Sequence, residues 1–244
     1  YTFLFSSLVV LFSRQNKPPN GYYSDKSNSP VKIDTITKKV NKKVLKETNL
    51  LTNQNVKQKL IDFGIKNKEE KVLIRTELGN IIIRLYKNTP LHRANFLLLA
   101  KRKFFDSTIF YRVIRNFMIQ GGNSDKNNML QKMAKIGLYR VPPEINPKNI
   151  HKRGALAMAV QEQFYKDPNK INLSSSPYNF YIIQKGPLTD NYMDKIETKY
   201  NIKIPESNRN IYRKIGGSPH LDNKYTVFGE VISGLSVVDK ISKQ

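Results

Sequence analysis

The residues best suited to chemistry lie together in one stretch, Phe110 to Asn123, which reads FYRVIRNFMIQGGN. Arg112 stands in an otherwise apolar strand pattern, with Phe110 and Ile114 two positions to either side on the same face. A charge in such a strand is costly unless it is paired or faces a groove. The residues that follow offer an aromatic ring, a thioether and an amide: Phe117, Met118 and Gln120. The pattern fits either a groove-facing arginine or a core strand whose arginine is paired for structural reasons.

This stretch resembles the signature of the cyclophilins. In that signature, phenylalanine, histidine, arginine, two aliphatic residues and a phenylalanine-methionine-x-glutamine-glycine-glycine run occur in this order. Supporting segments follow the family's order as well: Thr89-Pro90 with Asn95-Phe96, Phe105–Ile109, Gly154–Ala159, Asn179–Ile183 and Leu221–Gly229. The resemblance covers the chain from Val72 to Ile241. The whole arrangement is similar to that of exported bacterial cyclophilins with a helical insertion.

The resemblance implies a peptidyl-prolyl cis-trans isomerase that accelerates rotation about X-Pro bonds in folding proteins. Such an enzyme binds the twisted amide better than either planar isomer, so it needs no cofactor, metal or covalent step. Its partners would be proline-containing polypeptides. The implied catalytic residues are Arg112, Phe117 and Gln120. The implied substrate-binding residues are Met118, Ala159, Asn179, Tyr181, His220, Leu221 and Tyr225.

Within this set the resemblance assigns separate roles. The Arg112 guanidinium would hydrogen-bond the substrate proline and reduce the conjugation of its nitrogen. Gln120 would hold Arg112 or the substrate backbone, and Ala159 would line the peptide groove. The apolar pocket for the proline ring would come from Phe117, Met118, Tyr181 and Leu221.

Several positions depart from the family pattern. Tyr111 and Tyr225 stand where the family has histidines, and Val160 stands where it often has an asparagine. Asn179 replaces a glutamine, and His220 replaces a tryptophan found in many members. Pro177-Tyr178 replaces a glycine-serine pair. We therefore expect activity that is retained but reduced, with poor cyclosporin sensitivity. The alternative is a catalytically weakened chaperone or peptide-binding module of the same fold.

The elements that must position these residues are mostly short strands. Val72–Thr76 and Ile81–Tyr86 predict a hairpin. A helix is predicted over Leu91–Arg102, because Asn88-Thr89-Pro90 supplies an N-cap and a proline for its first turn. A last short helix is predicted over Leu235–Ile241. Many short strands with glycines at their corners predict a mainly β fold, a closed β-barrel. The resemblance implies eight antiparallel strands, capped by two helices.

Two segments lie outside this pattern. Residues 185–214 form an insertion with a predicted amphipathic helix, in which Leu188, Tyr192, Ile196 and Tyr200 repeat at four-residue spacing. That spacing favours plain packing against the body over a binding face. Residues 15–70 predict a lysine-rich, partly disordered linker, with some helical spacing between Val40 and Ile65. The isomerase domain is then expected over 71–244.

Residues 1–14 form an apolar run too short for a transmembrane helix, which needs ~20 residues. The run fits a signal-peptide remnant or a membrane anchor, and a buried strand is the alternative. We expect an exported or membrane-anchored, periplasmic protein rather than a cytoplasmic one, with membrane attachment through the N-terminus left open. We also expect a monomer.

Composition narrows the remaining classes of function. The chain has no cysteine, which excludes disulfides, thiolate metal sites and cysteine nucleophiles, and its three histidines lack ligand spacing. The net charge of +23 invites a nucleic-acid interpretation. However, the excess is lysine spread along the chain, whereas bidentate base and phosphate contacts favour arginine. We therefore expect no specific binding of nucleic acid.

Overall fold

The computed structural model describes residues 8–12, 50–123, 128–160 and 173–244, the first of these ranges by its backbone alone. Within these ranges the strands are β1 (Leu8–Phe12), β2 (Lys71–Thr76), β3 (Gly79–Leu85), β4 (Thr108–Ile109), β5 (Arg112–Ile114), β6 (Met118–Gly121), β7 (Ala155–Val160), β8 (Ser175–Ile183) and β9 (Val227–Ser233). The helices are α1 (Val56–Lys66), α2 (Pro90–Lys101), α3 (Asn128–Ile136), α4 (Asp190–Tyr200), α5 (Glu206–Ile215) and α6 (Leu235–Ile241).

The strands form one mainly antiparallel sheet in the order β4-β1-β2-β3-β9-β7-β8-β6-β5. β4 and β5 stand at opposite ends of this order, yet only Phe110 and Tyr111 separate them along the chain. Because two residues span only a short distance, the sheet must curl to bring its ends together. The fold is therefore mainly β, a curled sheet in the form of a half-barrel with several helices.

The predicted first hairpin is confirmed. β2 and β3 pair antiparallel, from Lys71 opposite Arg84 to Thr76 opposite Gly79. Alternate residues of both strands, among them Ile74, Ile81 and Ile83, are fully buried. Gly79 turns the chain with a φ of +131°, a backbone conformation that glycine adopts far more readily than other residues.

The predicted first and last helices are confirmed as α2 and α6, but the start of α2 is made differently. Thr89 is the N-cap residue, and its side chain makes no capping bond. The carboxylate of Glu144 accepts instead from the backbone N–H groups of Leu91, at 2.9 Å, and His92, at 2.8 Å. A charge from a distant loop thus satisfies the free amides and complements the helix dipole.

The strand-like run of residues from Thr108 to Ile114 is not one strand, because the structure divides it into β4 and β5. Between them the ring of Phe110 is buried in the main core, edge-on to Phe180 at 6.2 Å between centroids. Burying this ring turns the chain away from one sheet end and toward the other. The helix α3 was not predicted from the sequence pattern.

The buried apolar side chains form three clusters. The main core lies between one face of the sheet and helices α1, α2 and α6, and its centre is a group of packed rings: Phe96, Phe105, Phe180 and Phe228. The pocket cluster lies on the opposite face of the sheet, around Met118, Ala155, Ala157, Tyr181, Ile183 and Val227. The insertion cluster comprises Ile150, Leu188, Met193, Ile196, Ile204 and Tyr212.

The insertion contains two helices rather than the one predicted, α4 and α5. Of the four residues at helical spacing, Leu188 and Ile196 are buried, which agrees with packing against the body. Tyr192 and Tyr200 remain 43% and 37% exposed. Two residues of the repeat therefore pack in the interior, as predicted, and the two tyrosines lie partly exposed at the surface.

Part of the predicted linker packs onto the domain. Helix α1 contacts α2, and Leu51, Val56 and Leu60 are completely buried in the main core. The remainder of the linker, residues 15–49, lies outside the described residues, as does most of the predicted signal segment 1–14. Of that segment, β1 pairs parallel with β2 and with β4. No helix in the described part of the chain is long and apolar enough to cross a membrane.

Candidate functional site

Period-two alternation along three strands gives the sheet two chemically different faces. In β8, Phe180 and Ile182 point into the main core, whereas Tyr181 and Ile183 belong to the pocket cluster. In β6, Ile119 points to the main core and Met118 to the pocket cluster. In β7, the residues of the pocket face are all alanines: Ala155, Ala157 and Ala159. Their small side chains leave room above the sheet.

A row of paired residues crosses this face. Arg112 of β5 lies opposite Gln120 of β6, Gln120 lies opposite Tyr181 of β8, and Tyr181 lies opposite Ala157 of β7. Residues directly opposite on neighbouring strands have their Cβ atoms about 4.5–5.5 Å apart. The guanidinium, the amide and the ring are therefore placed side by side by the register of the strands.

The predicted residues Arg112 and Gln120 contact each other. The Nη1 atom of Arg112 donates to Oε1 of Gln120 at 3.4 Å, and Nε2 of Gln120 donates to the hydroxyl of Tyr111. Arg112 is exposed, and none of the ion pairs among the described residues involves it. The alternative of a structurally paired core arginine therefore does not describe this side chain.

Tyr111 stands where the family pattern has a histidine, and it supplies a neutral hydroxyl there. Burial raises the pKa of Tyr111, although the hydrogen bond from Gln120 and the charge of Arg112 act in the opposite direction. The hydroxyl thus stays protonated and fixes the Gln120 amide at neutral pH.

The remaining predicted residues surround the pocket cluster. Met118 and Tyr181 belong to its buried part, and the partly buried side chains packed against it include Phe117, Ala159, Leu221 and Tyr225. Tyr225 meets Tyr181 edge-on, with 6.2 Å between ring centroids. Asn179 lies on the same face two positions before Tyr181, and its enclosed Oδ1 has no hydrogen-bond partner among the described residues. The structure therefore brings all these residues to one face.

His220 joins the site through its ring. It stacks on Phe117 with 5.6 Å between centroids, and on its other side it stacks on Tyr200 of α4 with 4.9 Å between centroids. Mainly burial, and then the positive charge of neighbours that include Lys224, lowers the pKa of His220 to about 4. At neutral pH this ring is therefore uncharged.

Under the pocket lies a polar chain that sequence reasoning missed. Nε2 of His151 is 3.0 Å from the hydroxyl of Tyr181, and Nδ1 of His151 is 2.9 Å from Oδ1 of Asp222. The other oxygen of Asp222 accepts from the hydroxyl of Tyr212 at 2.5 Å. Burial first, and then the charge of Asp222, raises the pKa of Tyr212 far above its ordinary value. Asp222 lies in the family-like segment Leu221–Gly229, but the spacing of the sequence could not show its partners.

The second glycine of the pair that ends the signature, Gly122, is required for steric reasons. Gly122 has a φ of +97°, and a Cβ there would lie 1.9 Å from the carbonyl oxygen of Tyr178. Only glycine allows the chain after β6 to pass this close to β8. Within the described residues, no group of three or more His, Cys, Asp or Glu is placed to hold a metal ion.

The arrangement can bind a short peptide segment. An apolar pocket with alanine walls accepts a compact apolar ring, and an exposed guanidinium at its edge can donate to a polar backbone group. The polar side chains around the pocket are an arginine, two amides, tyrosines and His220. These groups suit non-covalent binding of a peptide through hydrogen bonds and ring contacts.

Comparison with known proteins agrees with this geometry. Residues 71–244 match the family described as cyclophilin type peptidyl-prolyl cis-trans isomerase/CLD. A protein of Staphylococcus aureus (strain USA300) assigned the name peptidyl-prolyl cis-trans isomerase is 30% identical over 179 residues, which cover 73% of this chain and 83% of that protein. A protein of the same name from Staphylococcus haemolyticus (strain JCSC1435) is 28% identical over the same shares of both chains.

Solved structures give a more distant likeness. A cyclophilin type peptidyl-prolyl cis-trans isomerase of Cryptosporidium parvum, crystallised in the presence of the dipeptide Ala-Pro, superposes with a TM-score of 0.45. It is 22% identical, and the match covers 70% of this chain and 84% of that one.

Proposed function

This chain belongs to the cyclophilin-type peptidyl-prolyl cis-trans isomerase family and is a peptidyl-prolyl cis-trans isomerase, and we propose that it acts through Arg112 and the pocket cluster. The proline ring of the substrate lies in the apolar pocket beside Phe117, Met118 and Tyr181. The polar row beginning at Arg112 then faces the peptide bond before the proline.

The reaction at this site breaks no covalent bond, but its energy barrier is high. Rotation about a peptide bond faces a barrier of ~18–20 kcal/mol because amide resonance is lost. X-Pro bonds therefore interconvert in tens to hundreds of seconds without catalysis. A site that binds the twisted amide more tightly than either planar form lowers this barrier without any covalent step.

Arg112 provides the interaction that differs between the two states. When the amide twists, the lone pair of the proline nitrogen is no longer delocalised, and the nitrogen becomes a hydrogen-bond acceptor. A guanidinium donor stabilises this twisted form and gains little from the planar one. The observation that carries the proposal is that Arg112 is exposed, lacks an ion pair among the described residues and is held beside the pocket by Gln120.

Replacing Arg112 by alanine tests this role. We expect kcat/KM for a neutral X-Ala-Pro peptide to fall by about 10²–10³-fold, as when a preorganised donor to a transition state is removed. Arg112→Lys keeps the charge but loses the planar fork, and it should restore only part of the rate. NMR exchange between the cis and trans signals measures both variants without a coupled protease.

The matched control is Arg75→Ala, which removes an equal charge from the exposed side of β2. It should leave kcat/KM unchanged. If Arg112→Ala retains the full rate while the wild-type protein is active, Arg112 is not the catalytic group. If the wild-type protein gives no rate above background, the proposal for this site fails entirely.

A second candidate is a peptide-binding chaperone of the same fold with weakened catalysis. Two departures from the family pattern favour it: Val160 has no polar group where the pattern has an asparagine, and Asn179 is one methylene shorter than a glutamine. Suppression of aggregation that survives Arg112→Ala would support this candidate. Loss of suppression together with the rate would contradict it.

We also propose that the sheet closes fully into a barrel. The short chain between β4 and β5 supports closure, since these strands are the two ends of the sheet. A second support is the antiparallel bridge between Ile109 of β4 and Asn123, which lies just beyond β6. Slow amide exchange of the bridging N–H of Ile109, which donates to the carbonyl of Asn123 at 3.0 Å, is the expected sign of closure. Fast exchange would favour an open edge.

A further inference from the structure

A cleft of about 260 Å³ lies beside the pocket cluster and is shared between the domain and its insertion. The domain contributes Phe117 and His220, and the insertion contributes Lys185, Tyr192 and Tyr200. Phe117 also belongs to the proposed proline site, so the cleft begins where that site ends. The residues next to a proline bound in the pocket can therefore reach this cleft.

The wall of the cleft is a continuous stack of rings. His220 lies between Phe117 and Tyr200, at interplanar angles of 27° and 20°. Tyr200 is the last residue of α4, and its ring is still 37% exposed. The stack thus extends the aromatic surface from the pocket onto the insertion, and one face of it stays accessible.

Three lysines lie over the two tyrosine rings that line the cleft. Nζ of Lys185 is 4.6 Å from the ring centroid of Tyr192. Nζ of Lys199 and Nζ of Lys224 are 5.4 and 5.6 Å from the ring centroid of Tyr200. None of the salt bridges found among the described residues involves these lysines. The ammonium groups therefore have their charge available at the mouth of the cleft.

The acidic residues of the insertion are engaged elsewhere. Arg209 of α5 binds Asp190 at 2.9 Å, Asp194 at 2.7 Å and Glu197 at 3.3 Å, and Arg213 also binds Asp190. These pairs join α5 to α4 and give the carboxylates of both helices arginine partners. The ammonium groups of Lys185, Lys199 and Lys224 therefore supply the positive charge beside the cleft.

The insertion is also fixed relative to the pocket. Tyr212 of α5 donates to Asp222, which holds His151, and His151 contacts the hydroxyl of Tyr181 in the pocket cluster. At the base, Gly216 approaches the backbone of Gly186 so closely that a Cβ would lie 2.1 Å from its carbonyl oxygen. The cationic wall is thus held at a set position relative to the proline site.

We propose that this cleft is a specificity subsite that binds an aspartate or glutamate side chain flanking the substrate proline. The inference rests on the proposed function, because it takes the proline to lie in the pocket cluster. The aromatic stack packs against the substrate side chain and backbone, and the three ammonium groups attract its carboxylate. The enzyme therefore prefers acidic flanking sequences to neutral ones.

The test uses peptides containing one Ala-Pro bond with glutamate or glutamine at each of the three positions on either side of it. NMR exchange gives kcat/KM for each pair at low salt and in 0.5 M NaCl. At one flanking position we expect glutamate to exceed glutamine by about fivefold, the effect of an exposed ion pair. The preference should largely vanish at high salt.

The variant Lys185→Gln/Lys199→Gln/Lys224→Gln removes the proposed recognition. It should abolish the glutamate preference while the rate on the glutamine peptides stays the same. The matched control removes the same number of charges from exposed lysines of α1 and of the C-terminal segment, which do not line the cleft: Lys57→Gln/Lys240→Gln/Lys243→Gln. This control should keep the preference.

Failure of the inference is distinguishable from failure of the proposed function. If the glutamine peptides are isomerised and glutamate gives no advantage at any position, the subsite is wrong and the isomerase site stands. An advantage that persists in the cleft triple variant also overturns the subsite. If no peptide is isomerised, the proposed function fails first.

Discussion

Single residues at this site act through the groups that hold them. Arg112 carries the proposed catalytic donor, but its direction depends on Gln120, whose amide is held in turn by the hydroxyl of Tyr111. A histidine at position 111 would be able to gain a proton, whereas Tyr111 stays neutral because burial raises its pKa. The substitution therefore keeps Gln120 in place over a wide range of pH.

His220 gives a prediction about pH. Its pKa is lowered to about 4 in the folded protein and is 6.5 in an unfolded chain, so between these values only the unfolded chain binds the proton. The stability that depends on neutral His220 is thus complete above pH 6.5 and is lost as the pH falls toward 4. We expect His220→Phe, which preserves the ring stack, to reduce the loss of unfolding free energy between pH 7 and pH 5 by about 1 kcal/mol after allowance for solvent screening.

Urea unfolding at pH 7 and pH 5 measures this difference. Carboxylates with lowered pKa, such as those of Glu230 and Asp190, titrate equally in both proteins and cancel in the comparison. Equal losses in the wild-type protein and in His220→Phe would show that the ring is not kept neutral by its surroundings.

The residues of the candidate site could be predicted because the chain resembles the cyclophilins at Phe110–Asn123 and at several supporting segments. Strand alternation explains why Met118 and Gln120 share one face of β6, whereas the pairing of Gln120 with Tyr181 is visible only in the structure. The chain Tyr212–Asp222–His151 could not be predicted in this way. His151 and Asp222 are 71 residues apart, and nothing local to either residue indicates that a hydrogen bond joins them.

At the scale of elements, helix α1 extends the packed body beyond the boundary that composition suggests. Leu60 is completely buried, whereas Ile65 on the same helix is 62% exposed. We expect Leu60→Ala to lower the free energy of unfolding by about 2–5 kcal/mol, since it leaves a cavity in the main core. Ile65→Ala should change it by no more than about 0.5 kcal/mol. Urea unfolding of both variants measures the contrast.

Isomerase activity gives the control for this pair. Both variants should keep their kcat/KM under conditions where they are folded, because α1 contacts α2 and not the pocket face. If Leu60→Ala is as stable as Ile65→Ala, the segment does not belong to the cooperative unit, and the domain begins near residue 71 as composition indicates.

Sequence patterns predicted those elements whose apolar residues all pack on one surface. In β2, β3 and α6 the apolar residues recur at strand or helix spacing and face the main core, so the predicted bounds agree closely with the structure. The insertion was harder, because the residues of α4 face two surfaces: Ile196 is buried among apolar residues and Tyr200 stacks on His220. A repeat that serves both packing and a cleft has the same spacing as one that serves packing alone.

At the scale of the whole molecule, the net charge of +23 attracts anionic partners and repels cationic ones. Opposite charges in the described part of the chain are largely joined in local pairs, such as those of Arg209 and Arg213 with the acids of α4 and α5. The excess positive charge comes mainly from lysine and is spread along the sequence. Charge on this scale attracts polyanions without selecting among them.

This spread of charge leads to a prediction for duplex DNA. We expect two unrelated 20-base-pair duplexes to bind with equal affinity at 50 mM salt, because lysines contact phosphates and do not read base edges. If 6 or more phosphates are contacted, the affinity should fall by about 10³-fold or more between 50 and 200 mM salt. A retardation assay at both salt concentrations measures the effect, and the isomerase rate on a neutral peptide serves as the control that the protein is intact. A complex that survives 200 mM salt with only one of the two duplexes would contradict this view, since it would require base contacts that the spread lysines do not provide.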